Sequence, residues 1–316
     1  MITLEHVYVL TGAMFALFAI DRALDRSSPR RWRSAFFWAT YAFSFLAGSH
    51  LPDLANGIIL LALVILAASG LAPAAQAPPL AERQVAAHRN GNRLFVPALA
   101  IPVVVLLGTV FAKHLSVGGS ALFETAHATL IALACAVLVA LALGYALLQA
   151  PLLAPLREGR RLMEAVGWAA VLPQILASLG ALFAAAGVGK VIGRLATDAI
   201  PMSNGSIAVM TYTLGMALFT IIMGNAFAAF PVLTAGIGLP LIVGRFGGDP
   251  VIMSAVGMLS GFCGTLMTPM AANFNIVPAA LLDLPDRNAV IKVQIPTALI
   301  LLAANTVLMA VFVFRR

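Results

Sequence analysis

The sequence predicts an all-α polytopic membrane protein of about eight transmembrane helices, with one re-entrant helical hairpin and one broken helix. Three observations predict it. Of the 316 residues, 61% are apolar and only 10% charged, so a water-soluble domain of this composition could not cover its surface with polar groups. Apolar runs of about 18 to 25 residues recur along the chain, each long enough to cross roughly 30 Å of hydrocarbon at about 1.5 Å per residue. In the C-terminal third, two of these runs are interrupted by Gly, Pro, Thr and Asn without any charged residue.

Taken in order, residues 3–20 form the first span. It lacks the basic start of a signal peptide and is followed by Arg22, Arg26, Arg30, Arg31 and Arg33, which marks a permanent span with a cytoplasmic basic end. The second span, residues 34–48, leads to a turn at His50 and Asp53 without Lys or Arg. The third, residues 54–71, returns to an Ala- and Pro-rich segment, 72–93, that carries Arg83, Arg89 and Arg93 and reads as a cytoplasmic loop. Span four, residues 94–112, contains Pro97 and Pro102 and ends near Lys113 and His114; span five, 122–149, leads to Arg157, Arg160 and Arg161; span six, 162–187, exits again. Residues 189–200 place apolar side chains at helical spacing beside Lys190, Arg194 and Asp198, the pattern of a short amphipathic helix along the outer interface.

Residues 206–243 follow as two apolar limbs around Gly224-Asn225-Ala226. Two full spans or a re-entrant hairpin would return the chain to the same side, and the uncharged turn favours the hairpin, since a cytoplasmic loop usually carries Lys or Arg. Span seven, 249–282, is broken around 265–273, and span eight, 293–314, precedes Arg315 and Arg316. The organisation is thus a three-span bundle (1–71), a cytoplasmic loop (72–93), scaffold spans (94–188), and an interfacial helix, hairpin, broken span and last span (189–316). The expected location is the bacterial inner (cytoplasmic) membrane, crossed several times, with the lipid bilayer as solvent.

The net charge of +7 does not mark a nucleic-acid binder, because the basic residues sit in short clusters between apolar runs. Cys135 and Cys263 lie inside apolar segments without metal-ligand companions and read as packing residues. No nucleophile motif or metal-ligand cluster points to an enzyme, and no cofactor is expected. Glu124 and His127, three apart near the outer end of span five, read either as a proton relay or as a solvated interfacial pair, while Glu5, Lys113, His114 and Glu164 fall near span ends, where such side chains snorkel.

The chemistry concentrates in two breaks, 224–231 and 264–275. Non-helical backbone at membrane depth is tolerated only where protein buries it or where it lines a watery cavity. Thr268-Pro269 is an unwinding point, because proline lacks a donor and disfavours helix in the residue before it. A broken helix presents free N–H groups that attract an anion such as a carboxylate, and free carbonyls that suit a cation. Asn225, Thr265, Thr268, Asn273 and Asn275 add neutral donors and acceptors; the bland alternative is that these residues only hydrogen-bond to neighbouring backbone. With no carboxylate at either break, sodium held by oxygens fits better there than a local proton carrier.

The segments 223–240, 260–278 and 291–300 closely resemble the bacterial membrane family called domain of unknown function nine-seven-nine. The resemblance implies one subunit of a two-subunit oxoproline (pyroglutamate) transporter. More distantly, the turn at Asn225 and the break at Thr268-Pro269 look like the paired motifs of the ion transporter superfamily, which includes dicarboxylate and citrate carriers. There, each inverted repeat contributes a hairpin with a Ser-Asn-Thr-like tip and a helix broken at a Thr-Pro-Pro-like turn. By position Asn225 is the tip asparagine and Thr268 and Pro269 the turn, whereas Gly224, Ala226 and Met270 depart from the pattern.

Spans four to eight follow the element order of one such repeat, and the first three spans hold no second hairpin and break. The resemblance therefore implies a permease subunit for a small carboxylate, driven by Na+ or H+, with a substrate- or ion-binding half-site at Asn225, Thr265, Thr268, Pro269, Asn273 and Asn275. The complementary half would come from a second, smaller membrane subunit. A non-transporting scaffold or assembly subunit is the alternative.

Overall fold

The computed structural model describes residues 1–26, 28–75, 78–111, 116–117, 120–121, 123–201, 203–282 and 284–315. Lys113, His114 and Arg316 lie outside the described residues. Apart from a short antiparallel strand pair, Ser116–Val117 with Ser120–Ala121, the regular structure is helical. Among the described residues, seven helices are long and apolar enough to cross a membrane, and the chain is a multi-pass membrane protein. It forms two compact units, Met1–Glu164 and Ala165–Arg316.

The first unit contains α1 (Leu4–Leu24), α2 (Arg31–Ala47), α3 (Asp53–Ala68), α4 (Leu80–Asn90), α5 (Phe95–Phe111), α6 (Ala128–Leu148) and most of α7 (Ala154–Val166). α1 and α2 pack through aromatic rings: Phe15 stacks on Trp38 at a centroid distance of 5.6 Å and meets Tyr41 edge-on at 4.7 Å. The start of α1 is capped from two sides. The Thr3 amide donates to His6 Nδ1 at 3.2 Å and the Leu4 amide to Glu124 Oε2 at 3.1 Å, which satisfies donors that a helix N-terminus leaves free. α5 buries none of its residues, and an all-round apolar helix of this kind suits a hydrocarbon environment.

Two expectations change here. Segment 72–93 is not only loop, because residues 80–90 form α4, which is wholly unburied. Its residues are mostly strong helix formers, with Glu82 in the first turn and His88 and Arg89 in the last, each complementing the helix dipole. Glu164 does not reach solvent at a span end. It is buried, with Oε1 3.2 Å from the Nε of the buried Arg22, because α7 turns this side chain toward the polar end of α1.

The second unit contains α8 (Leu172–Ala185), α9 (Val188–Ala199), α10 (Gly205–Met223), α11 (Ala226–Leu233) with its π-helical continuation Thr234–Arg245, α12 (Pro250–Thr265), α13 (Ala272–Leu281) and α14 (Ala289–Phe312). Side chains set the starts of the long elements. Asn204 Oδ1 accepts the Ile207 amide at 2.9 Å, and Asp249 Oδ1 accepts the Val251 amide at 2.7 Å, with Pro250 at the first helical turn. The core lies among α10, α11, the π-helix, α12 and α14, around fully buried Tyr212, Met216, Ile237, Ile242, Met253 and Met309. The Tyr212 hydroxyl is satisfied 2.8 Å from Thr234 Oγ1, as burial of a polar atom requires.

Where the sequence predicts about eight spans and a hairpin, α2 and α3 have 17 and 16 residues, below the length of the seven long helices. Both hairpin limbs, Gly205–Met223 and Ala226–Arg245, reach that length. α9 is amphipathic as the spacing predicts: Lys190, Arg194 and Asp198 are exposed, while Gly189 and Gly193 are buried against Val232 and Gly236. A Cβ at residue 193 would collide with the Gly236 carbonyl, so this close approach needs glycine. Replacing Gly193 by Ala should therefore destabilise the second unit by ~1–3 kcal/mol through overpacking, read as a lowered melting temperature of the purified protein in detergent.

Candidate functional site

The second unit brings the two sequence breaks together. α10 ends at Gly224, whose φ of +73° lies in the left-handed region. A Cβ there would stand 2.6 Å from the Met270 carbonyl oxygen and 2.7 Å from Met270 Cβ, so neither backbone conformation nor space admits a side chain. Asn225 follows as the N-cap of α11, its Oδ1 accepting the Phe227 amide at 2.9 Å.

Opposite the turn, the chain unwinds between Thr265 and Ala272. Thr268 holds the two breaks together: its hydroxyl donates to the Ile221 carbonyl on α10 at 2.8 Å and accepts the Met270 amide at 3.2 Å. Asn275 closes the break from the far side, its Nδ2 donating to the carbonyls of Thr265 at 2.8 Å and Thr268 at 2.7 Å. Thr265 donates to the Phe262 carbonyl at 2.6 Å. The carbonyls freed by unwinding thus find donors inside the protein, as backbone in an apolar environment must.

The predicted residues divide by what they do. Thr265, Thr268 and Asn275 are buried and bond to backbone, Asn225 is half-buried at the tip, and Pro269 and Asn273 are exposed. The geometry joins Asn225 to Thr268 and Pro269 through the Gly224 and Met270 contact, and Thr265 to Asn275 directly. Polar capacity remains. Asn275 Oδ1 is buried and accepts no hydrogen bond among the described residues, and the N-cap of α13, Ala271, supplies no side-chain cap. Two helix N-termini, one capped by Asn225 and one uncapped, belong to the joined breaks, and such ends stabilise negative charge.

Sequence reasoning missed Thr220. Its hydroxyl is fully buried and without a partner among the described residues, beside Gly261 and Gly264 of α12. A threonine in the otherwise apolar stretch 214–223, four residues before the glycine that ends the helix, was the available signal. The Glu124 and His127 pair is also resolved in its contacts. Glu124 accepts the Leu4 amide at 3.1 Å and lies 3.0 Å from His127 Nδ1; the amide first, then the histidine, hold its carboxyl below the ordinary glutamate range.

The model of the family described as Protein of unknown function (DUF979) matches residues 5–314. The chain belongs to this family. No curated protein and no solved structure matches it. Membership covers both units and both breaks of the chain, so the joined turn and break sit within the matched region.

Two outcomes test these contacts. Asn275→Ala leaves the Thr265 and Thr268 carbonyls without their donor and should cost about 1–3 kcal/mol, measured as a fall in melting temperature against the unchanged protein. Because the Glu124 pKa is lowered by folding, its contribution is present above the ordinary glutamate value and is lost as pH falls through the lowered one. Hydrogen-exchange protection of the Leu4 amide should accordingly drop on acidification, and Glu124→Gln should flatten that dependence.

Proposed function

We propose that this chain is one subunit of a heteromeric secondary transporter for a small carboxylate, with pyroglutamate (5-oxoproline) as the leading substrate and Na+ or H+ as the coupling ion. The observation that carries the reading is the docking of the Gly224-Asn225 turn on the 266–271 break. That contact places two half-helix ends, with neutral polar side chains beside them, in one neighbourhood of an otherwise apolar helical unit, the arrangement by which transporters bind solutes at membrane depth. A carboxylate would meet the N–H ends of α11 and α13, with Asn225 and Asn273 as the accessible donors and acceptors.

Thr265, Thr268 and Asn275 would act by holding the break open, since their hydroxyls and amide already serve backbone. The chain offers one hairpin with one break, which corresponds to half of an inverted-repeat site, so a second, smaller membrane subunit supplies the rest. On this reading the hairpin is re-entrant, a placement that rests on its uncharged tip. The resemblance to ion transporter superfamily repeats adds the expectation that hairpin and break move together against a scaffold.

A specific observation favours a second reading. Every buried side chain of the predicted set bonds to backbone, as expected if the breaks only pack, and the chain would then be a scaffold or assembly subunit. Uptake of labelled pyroglutamate decides between them in cells expressing this chain, its neighbouring membrane partner, or both. The half-site reading expects uptake only with both, and about a tenfold loss, or ~1.4 kcal/mol, in Asn225→Ala. Uptake with the partner alone supports the scaffold, and full uptake by this chain alone removes the half-site.

A further inference from the structure

The breaks carry no charge, but the first unit buries an ionisable group that the reading above does not use. Glu164 is the one buried carboxylate among the described residues, at 8% exposure, and it faces Arg22, the one buried guanidinium, at 3%. The groups around it are set by two helices and a loop. From α1 come Asp21 and Arg22, and from its C-cap Asp25; from α7 comes Arg160, while Arg161 on the same helix is engaged by Glu158. From the loop after α3 comes the Pro73 carbonyl, which accepts from Arg22 at 3.1 Å. The α2 arginines point elsewhere, Arg33 to the Ser69 carbonyl and Arg31 over the Trp32 ring.

Both guanidiniums near Glu164 stand closer to an aspartate than to it. Arg22 gives its 2.7 Å hydrogen bond to Asp25 and another to Pro73, leaving its Nε 3.2 Å from Glu164 Oε1 without hydrogen-bond alignment. Arg160 donates to Asp25 Oδ2 at 3.3 Å and stands 2.8 Å from Asp21 Oδ2, there too without hydrogen-bond alignment, but lies 4.0 Å from Glu164. Neither oxygen of Glu164 accepts a hydrogen bond among the described residues. A buried ionised carboxylate without hydrogen bonds is costly, and the usual relief is to take up a proton. A metal ion is a poorer fit: it needs several converging oxygens, and no group of three His, Cys, Asp or Glu side chains among the described residues could hold one.

We propose that Glu164 is a proton-binding site, a neutral acid at neutral pH inside the Arg22, Asp21, Asp25 and Arg160 network. Loss of the proton would draw Arg22 or Arg160 away from the α1 carboxylates, so proton occupancy sets how α1 and α7 are tied. The site stands apart from the solute-binding reading and is tested without transport. Infrared titration of the full chain in lipid nanodiscs should show a protonated carboxylic-acid band that persists at neutral pH and is absent in Glu164→Gln. A spectrum without that band at neutral pH, or a band that survives in Glu164→Gln, overturns the proposal. If Glu164→Gln does not fold, Asp21→Asn decides: it frees Arg160 to pair with Glu164, so the band should titrate about one pH unit lower. An unmoved midpoint in Asp21→Asn overturns the proposal as well.

Discussion

The contact of Thr268 with the end of α10 is the interaction on which the second unit depends. Unwinding six residues of helix in an apolar environment frees amides and carbonyls that have no water to turn to. Thr268 answers part of that need with one bond in each direction, to the Ile221 carbonyl and from the Met270 amide, and Asn275 answers more by holding the carbonyls of Thr265 and Thr268. Because Ile221 belongs to the helix that ends in the hairpin turn, the same bonds that satisfy the break also fix the turn beside it. Gly224 completes the fit by offering no side chain where Met270 approaches.

That arrangement leaves a small set of polar atoms uncommitted, and on the proposed reading these set what the joined breaks would bind. The hydroxyl of Thr220 and Oδ1 of Asn275 are buried without partners among the described residues, and the first turn of α13 has no side-chain cap. All are neutral. The proposed ligand would bring its own charge and meet helix ends and dipoles, as a small carboxylate or a bare cation does. The first unit has the opposite character, with its buried ionisable groups, Arg22 and Glu164, gathered at the polar end of α1. Among the described residues the buried acid and base thus belong to the first unit and the joined breaks to the second.

Much of the fold was legible in the sequence. Composition, the recurrence of apolar runs and the positions of the arginine clusters gave the class, and helix ends fell close to Asn204, Gly224, Asp249 and Thr265, where caps, glycine and the approach of Pro269 dictate them. The helix at 80–90 was not read, because a charged segment beside prolines looks like loop when judged by hydropathy, although its helix formers and terminal charges pointed the other way. At the candidate site the residues were legible but their employment was not. Thr265, Thr268 and Asn275 were expected as donors and acceptors, and they are, mainly toward their own backbone.

The sequence by itself determined that this is a multi-pass helical membrane protein with two uncharged breaks, because apolar run length, proline and glycine act through local backbone chemistry. Only the tertiary structure decided which polar atoms remain free and which ionisable groups are buried. Those outcomes depend on partners far apart along the chain: Thr268 meets a carbonyl 47 residues away, and Glu164 of α7 meets Arg22 of α1. A side chain's neighbours across such distances are set by how helices pack, and no local pattern around Glu164 distinguishes a snorkelling carboxylate from a buried one.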